Sequence, residues 1–285
     1  MKWQESADAL RKGLRDYFAN FLVSLPNPLQ RLVFERFRRP ALWWLFRAYG
    51  TEFALAPAGP AGTRFRMWLD PAAYSDFIFG TYELNCVQKL KENLRHGSIC
   101  VDVGANLGYF SILMSRLVGA DGQIIAFEPM PDTSEILCQN ICLNHLTNTK
   151  IVRAAVSHES GSVQLFAEPS GRFSKTASMV GYRLEGARHT TVVPSIRLDD
   201  YFAGEKRLPD LIKIDVEGAE AAVLNGTRET IARGHPILLV EIHTWGSVES
   251  QQVLDLLAEL GYAPNIFEIR GGEALCLAKP RQRTG

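Results

Sequence analysis

Val101-Asp102-Val103-Gly104-Ala105-Asn106-Leu107-Gly108-Tyr109-Phe110-Ser111 is the stretch on which the reading of this chain turns. Ser98-Ile99-Cys100-Val101, overlapping its start, has the apolar character of a short buried strand, and Ile112-Leu113-Met114 with Leu117-Val118 repeat at helical spacing. Gly104 and Gly108 therefore fall in a strand-to-helix turn, where a missing Cβ lets backbone approach a ligand closely. Asp102, at the strand end, suits a ligand with a cationic or hydroxyl-rich head. Further along, Gln123-Ile124-Ile125-Ala126-Phe127 reads as a second strand ending in Glu128. An acidic residue there is placed to bond both hydroxyls of a ribose, as in other doubly wound nucleotide sites.

The glycine pattern is D-x-G-x-N-x-G, not the G-x-G-x-x-G that seats a pyrophosphate on a helix N-terminus. A nucleoside ligand without phosphate meets both conditions, so the expected cofactor is S-adenosylmethionine in preference to NAD or FAD. Asp102, Gly104, Asn106, Gly108, Tyr109 and Glu128 are then the cofactor-binding residues. A tight strand–helix connection with no ligand is the alternative for the glycines alone; the placement of Glu128 argues against it.

A second segment, Leu211-Ile212-Lys213-Ile214-Asp215-Val216-Glu217-Gly218-Ala219-Glu220, is followed by Val223-Leu224-Asn225-Gly226. Together with the glycine turn and Ile237-Leu238-Leu239-Val240-Glu241-Ile242-His243, it resembles the FkbM family of S-adenosylmethionine-dependent methyltransferases. The similarity runs over residues 80 to 245, and the IDVEGAE string is its most specific part. The resemblance implies an α/β class I methyltransferase fold: a mostly parallel, Rossmann-like, seven-stranded sheet with a C-terminal antiparallel hairpin. It also implies, as a rule, O-methylation of a sugar or polyketide hydroxyl. Glu83 resembles the acidic residue that precedes the core domain in this family and joins the cofactor set; a solvated helix-start carboxylate is the competing reading. In such a fold the end of the third core strand, Ile151 to Val156, lies beside the adenine, which assigns Ala155 and Val156 to cofactor contact.

At 285 residues the chain can bury one sizeable core and still carry an N-terminal extension. We divide it into an extension of helices and a hairpin over 1–72 and a methyltransferase domain over 73–285. Lys plus Arg equals Asp plus Glu at 31 each, so no global field draws in nucleic acid. Five cysteines without framework spacing suit reduced thiols and a cytoplasmic setting. No signal peptide is expected from MKWQESADALRKGL.

Leu10, Leu14, Phe18, Phe21, Leu22 and Leu25 recur at helical spacing until Pro26 and Pro28, and a second helical stretch runs from Leu29 to Phe37. Residues 1–50 hold nine basic against four acidic side chains, with the Trp43-Trp44 pair near their end. The expectation is a helical cap with no membrane-spanning segment; peripheral contact with a membrane through these helices is the alternative. Around Pro57 to Gly62 a hairpin is expected, and from Tyr74 to Leu94 a helix interrupted at Gly80 to Glu83. Alternating strands and helices follow, the mark of parallel crossovers. Asp132 with Glu135 reads as a capping box for a helix whose Cys138, Cys142 and His145 share a face too poor in ligands for a metal. Ser157 to Thr190 reads as a polar insertion with a long loop over the acceptor, and Leu198-Asp199-Asp200 as a turn. A helix from Glu220 to Ala232, another capped by Ser247, and a final hairpin at Gly271-Gly272 complete the reading.

Methyl transfer to a hydroxyl requires acceptor oxygen, methyl carbon and sulfur in line, plus removal of a proton from a weak acid. Asp215, Glu241 and His243 are the catalytic candidates, with Asp215 also near the cofactor. Glu217 joins them on the acceptor side, and a buried salt bridge or a helix-cap carboxylate is the competing reading for Glu217 and Lys213. Glu241 and His243 are two apart on an extended strand and face the same way, as do Lys213 and Asp215. Two mechanisms are open: His243 as base, its ring oriented by Asp215 or Glu241, or Mg²⁺ or Mn²⁺ held by Asp215 and Glu241. With only two carboxylates well placed, the metal-free base is preferred. The fourth strand end carries neither the Pro-Pro-Tyr of nitrogen methylation nor a cysteine, so oxygen is the expected acceptor. The expected partner is a small-molecule or saccharide acceptor: a sugar, glycan, glycosylated or secondary metabolite. The alternatives are methylation of RNA or protein, and a non-catalytic cofactor-binding scaffold in a biosynthetic complex.

Overall fold

The structure is a computed structural model that describes residues 54–59, 65–69, 76–77, 80–167, 177–178 and 189–281. The expected N-terminal helices, the Trp43-Trp44 pair and most of the 170–188 loop lie outside the described residues. The chain divides into two compact units, Met1–Leu84 and Asn85–Gly285. In the first, β1 (Ala54–Ala58) and β2 (Phe65–Leu69) pair as the expected antiparallel hairpin, with Ala54 opposite Leu69. Phe65, Met67 and Leu69 are buried while Arg66 is exposed, the alternation of a half-buried strand. Glu83 also belongs to this unit, buried and with left-handed backbone at φ 43°.

Helix α1 (Leu84–Asn93) leads into the second unit. There β3 (Ile99–Val103), α2 (Tyr109–Val118), β4 (Gln123–Phe127), α3 (Pro131–Leu143) and β5 (Thr149–Val152) follow one another. A smaller four-stranded sheet comes next, built from β6 (Ala155–Val156), β7 (Gly161–Ala167), β8 (Ala177–Ser178) and β9 (His189–Ile196). The chain then returns through α4 (Leu198–Tyr201), β10 (Leu211–Ile214), α5 (Glu220–Asn225), α6 (Arg228–Gly234) and β11 (Ile237–Ile242). It closes with α7 (Val248–Glu259), β12 (Tyr262–Arg270) and β13 (Glu273–Pro280). The seven strands of the main sheet lie in the order β12-β13-β11-β10-β3-β4-β5, and only β13 runs against its neighbours. That order, with its antiparallel hairpin at one edge, is the class I methyltransferase fold.

Register explains how the sheet separates core from chemistry. Val240, Ile214, Val103 and Phe127 form one row across β11, β10, β3 and β4, and all belong to one apolar cluster. Side chains alternate along a strand, so the residues one step on from this row point to the opposite face. Those residues are Glu241, Asp215, Gly104 and Glu128. Two positions before Asp215 and Gly104 on that same face, Lys213 lies beside Asp102. The polar chemistry is thus gathered on one face at the carboxyl ends of adjacent strands, where open α/β sheets bind their ligands.

Several local expectations are corrected. The segment 151–156 is not one strand: β5 ends at Val152, and Ala155 and Val156 pair with Ser195 and Ile196 in the second sheet. The Ala154 amide bonds the Val152 carbonyl, turning the chain between the two sheets. No capping box forms at α3. Pro131 occupies its first turn, which needs no donor there, and Glu135 instead pairs with Arg153 at 3.1 Å. His145 lies beyond the end of α3 with φ 56°, so it does not share a helical face with Cys138 and Cys142.

The 220–232 helix is two helices, α5 and α6, broken at Gly226-Thr227. A Cβ on Gly226 would collide with the carbonyl oxygen of Ser157, so the chain is pressed against a neighbouring loop there. Leu198-Asp199-Asp200 is the helix α4 rather than a turn, and the Asp199 carboxylate accepts from the Thr230 amide at 2.8 Å, capping α6. The Ser247 cap is as expected, its Oγ accepting from the Ser250 amide. Gly271 and Gly272 take left-handed backbone at φ 54° and 86° in the final turn.

Candidate active site

The turn after β3 is held by its neighbours. The amides of Gly104 and Ala105 both donate to the Phe127 carbonyl, at 3.0 and 2.9 Å, and the Asp215 amide donates to the Val103 carbonyl. Gly104 has φ 81°, and a Cβ there would run into the carbonyl oxygen of Asp215. Its glycine is thus required by the approach of two strand ends as well as by any ligand. Asn106 is left-handed at φ 50°, a conformation Asn tolerates, and its amide donates to Glu128 Oε2 at 3.0 Å. Gly108 precedes α2 with φ 92°, Tyr109 begins the helix buried, and Asn140 supports the turn by donating to the Leu107 carbonyl.

Glu128 is buried, and its other oxygen accepts from the Met130 amide at 2.9 Å. Burial pushes its carboxyl up to about 7, against the pull of the two backbone bonds. Each oxygen keeps capacity for one more hydrogen bond. A vicinal diol supplies two donors, so the group fits a ribose.

Asp102 has no exposed surface: Ser111 Oγ donates to one oxygen and Lys213 Nζ stands 4.0 Å from the other. Burial raises its carboxyl despite Lys213. That second oxygen makes no hydrogen bond among the described residues. Lys213 in turn donates to Asp215 Oδ2 at 2.9 Å and lies 4.7 Å from the Phe110 ring. Burial pushes Asp215 upward, but Lys213 and His243 outweigh it and hold the carboxyl below its usual range.

Beyond β11 the His243 ring is buried and hemmed by carboxylates. Nδ1 shares a 2.7 Å hydrogen bond with Glu220 Oε1. Around Nε2 stand Glu217 Oε2 at 3.3 Å, Glu273 Oε1 at 3.9 Å and Asp215 Oδ1 at 4.0 Å. Glu241 lies on the same side, in one group with His243 and Glu273, and is 3.4 Å from Arg270. Asp215, Glu241 and His243 are therefore brought together, as alternation requires. Two members of the cluster, Glu220 and Glu273, escaped sequence reasoning. Glu220 orients the ring in place of the expected Asp215 or Glu241.

The profile of the methyltransferase FkbM domain matches residues 102–264, from Asp102 through β3 to early β12. The chain belongs to the FkbM methyltransferase family. It is 27% identical over 198 residues to a protein of Haloferax volcanii named hexuronic acid methyltransferase AglP, an alignment covering 69% of this chain and 77% of that one. It is 30% identical over 200 residues to methyltransferase sdnD of Sordaria araneosa, covering 60% and 75%. Among solved structures, the methyltransferase FkbM from Methylobacillus flagellatus KT superposes with a TM-score of 0.45 at 14% identity, covering 72% of this chain and 65% of that one.

For this FkbM-family methyltransferase the electrostatics of His243 matter. Burial alone pulls the imidazole down, but the Glu220 bond and the charges of Glu220, Asp215 and Glu217 push it up to about 9. The sequence expectation of a pKa near neutrality is corrected accordingly. The ring carries its charge at neutral pH because the carboxylates around it favour the imidazolium. No helix among the described residues is long and apolar enough to cross a membrane.

Proposed function

We propose that the chain is an S-adenosylmethionine-dependent O-methyltransferase whose acceptor is a hydroxyl of a sugar, glycan or glycosylated metabolite. The observation that carries this reading is the row of strand ends: Glu128, with its two open acceptor positions, is separated only by the glycine turn from Asp215 and the His243 cluster. S-adenosylmethionine, when bound, supplies a methyl group already activated on a sulfonium. The chain's own residues do the rest. Glu128 grips the ribose diol, the Gly104–Gly108 turn shapes the floor, and Lys213 keeps Asp215 ionised and in place.

On the other side, Asp215 and Glu217 orient the acceptor hydroxyl toward the methyl carbon and a carboxylate of the cluster receives its proton, while the charged His243 ring holds these carboxylates in place. As the new carbon–oxygen bond forms, the carbon–sulfur bond breaks and its electron pair stays on sulfur. Polar groups of this density suit a polyhydroxylated acceptor, and the Haloferax relative is named for methylating a hexuronic acid. An RNA acceptor is disfavoured because Lys plus Arg equals Asp plus Glu at 31 each, which leaves no net positive field to draw in a polyanion. The test is to supply [methyl-¹³C]S-adenosylmethionine and a panel of monosaccharides, uronic acids and glycolipid headgroups, and to read products by NMR. A labelled methyl ether on a sugar is expected; label only on nitrogen, RNA or protein would reject the proposal.

A further inference from the structure

We propose that His243, Asp215 and Glu217 form a binding site for a divalent cation of the Mn²⁺ type. The inference rests on the acceptor-side reading given above and supplies what that reading lacks. His243 Nε2 makes no hydrogen bond among the described residues; its nearest carboxylate oxygens, of Glu217, Glu273 and Asp215, stand at 3.3, 3.9 and 4.0 Å. A charge-assisted bond to one of them would close to about 2.8 Å, as Lys213 does with Asp215 at 2.9 Å.

Ligand atoms about 2.1 Å from a shared octahedral ion stand about 3.0 Å apart in cis and about 4.2 Å apart in trans. The separations around Nε2 fall within that interval. The ligand atoms of Asp215, Glu217 and His243 also lie within 4.8 Å of one another, as do those of Glu241, His243 and Glu273.

The ring's other nitrogen points the same way. A metal-bound imidazole is commonly held by a carboxylate on its far nitrogen, which fixes the tautomer and strengthens the donor. Glu220 occupies that position at 2.7 Å, itself buried and steadied by the Gly218 amide at 2.8 Å. Charge balance adds a third argument. Among the described residues, the carboxylates of Asp102, Asp215, Glu217, Glu220, Glu241 and Glu273 meet the cations Lys213, Arg270 and His243. A divalent ion would neutralise most of that excess and offset the repulsion the ring of carboxylates exerts on an anionic sugar. One imidazole with two or three carboxylates suits Mn²⁺ better than Mg²⁺, which prefers oxygen and water alone. The sequence alone offered two well-placed carboxylates; the fold adds Glu217 and Glu273, which removes the ground for preferring a metal-free base.

The experiment uses the full chain, stripped with chelator and titrated with MnCl₂, free Mn²⁺ being read by electron paramagnetic resonance. One saturable site per chain is expected, with MgCl₂ competing only at higher concentration. Glu220→Gln should weaken it about 10–100-fold. Glu217→Gln should weaken it at least as much, and its side chain is 30% exposed, so that variant folds even if His243→Ala does not. Glu159→Gln, on an exposed carboxylate away from the cluster, should bind as the parent does. No saturable site at millimolar Mn²⁺, or equal binding by Glu217→Gln and the parent, would overturn the inference. Calorimetry with S-adenosylhomocysteine on the stripped protein keeps the two readings apart. Retained cofactor binding without a Mn²⁺ site rejects the cation alone, whereas lost cofactor binding rejects the methyl-donor reading.

Discussion

Glu128 links cofactor binding to pH. Its carboxyl, pushed from 4.5 to about 7 by burial, is protonated in the free protein over a range where an unfolded chain would be ionised. A raised carboxyl pKa means the folded state holds the extra proton. The associated stability is fully present below about 4.5 and is lost as pH rises through about 7. At 1.36 kcal/mol per unit, the difference amounts to about 3 kcal/mol as an upper figure. Ribose hydroxyls donate to the ionised form, so binding below pH 7 must expel the proton. Affinity for S-adenosylhomocysteine should therefore fall about tenfold per pH unit below 7 and level off above it. Glu128→Gln should flatten this profile, weaken binding at pH 8 by about 1–3 kcal/mol, and stabilise the free protein at that pH. The assay is calorimetry from pH 5.5 to 8.5 in two buffers of different ionisation enthalpy, which counts the released proton directly. A flat profile in the parent, with no proton released at pH 6, would refute the reasoning.

His243→Ala, which removes the group that holds Asp215 and Glu217 in place, should reduce turnover by about 10–100-fold with S-adenosylhomocysteine affinity nearly unchanged, read by steady-state kinetics and calorimetry; lost cofactor affinity would place the residue on the wrong side of the site. Gly104→Ala should lower the urea midpoint by an amount equivalent to at least about 2 kcal/mol, because its Cβ meets the Asp215 backbone at φ 81°. Lys213→Met should cost about 3–5 kcal/mol in chemical denaturation by stranding the buried Asp102, and adding Asp102→Asn should recover part of that loss. A double-variant loss equal to the sum of the two single losses would show that the residues are not coupled.

The main sheet was legible because its signals are local. The glycine turn, Glu128 at the next strand end and Gly271-Gly272 each declare a connection within a few residues. Alternation also placed Glu241 with His243, and Lys213 with Asp215, on one face. What escaped was set by distant neighbours. Glu220 meets His243 across 23 positions, and nothing in IDVEGAE distinguishes it from an ordinary helix-start carboxylate. Glu273 enters only because β13 folds back beside β11, opposite register positions that the sequence does not number. The break between α5 and α6 comes from the Ser157 carbonyl pressed against Gly226, a packing fact without local pattern. The split of 151–156 between two sheets has the same origin: apolar residues continue, but their partners change.

A crystal structure with S-adenosylhomocysteine bound tests the central claim most directly, because the claim fixes two ends of one ligand. The account predicts both ribose hydroxyls within hydrogen-bond distance of the Glu128 carboxylate, and the sulfur facing Asp215 and the His243 cluster with room for a hydroxyl between them. A ribose held away from Glu128, or a sulfur walled off from His243 by protein, would contradict it.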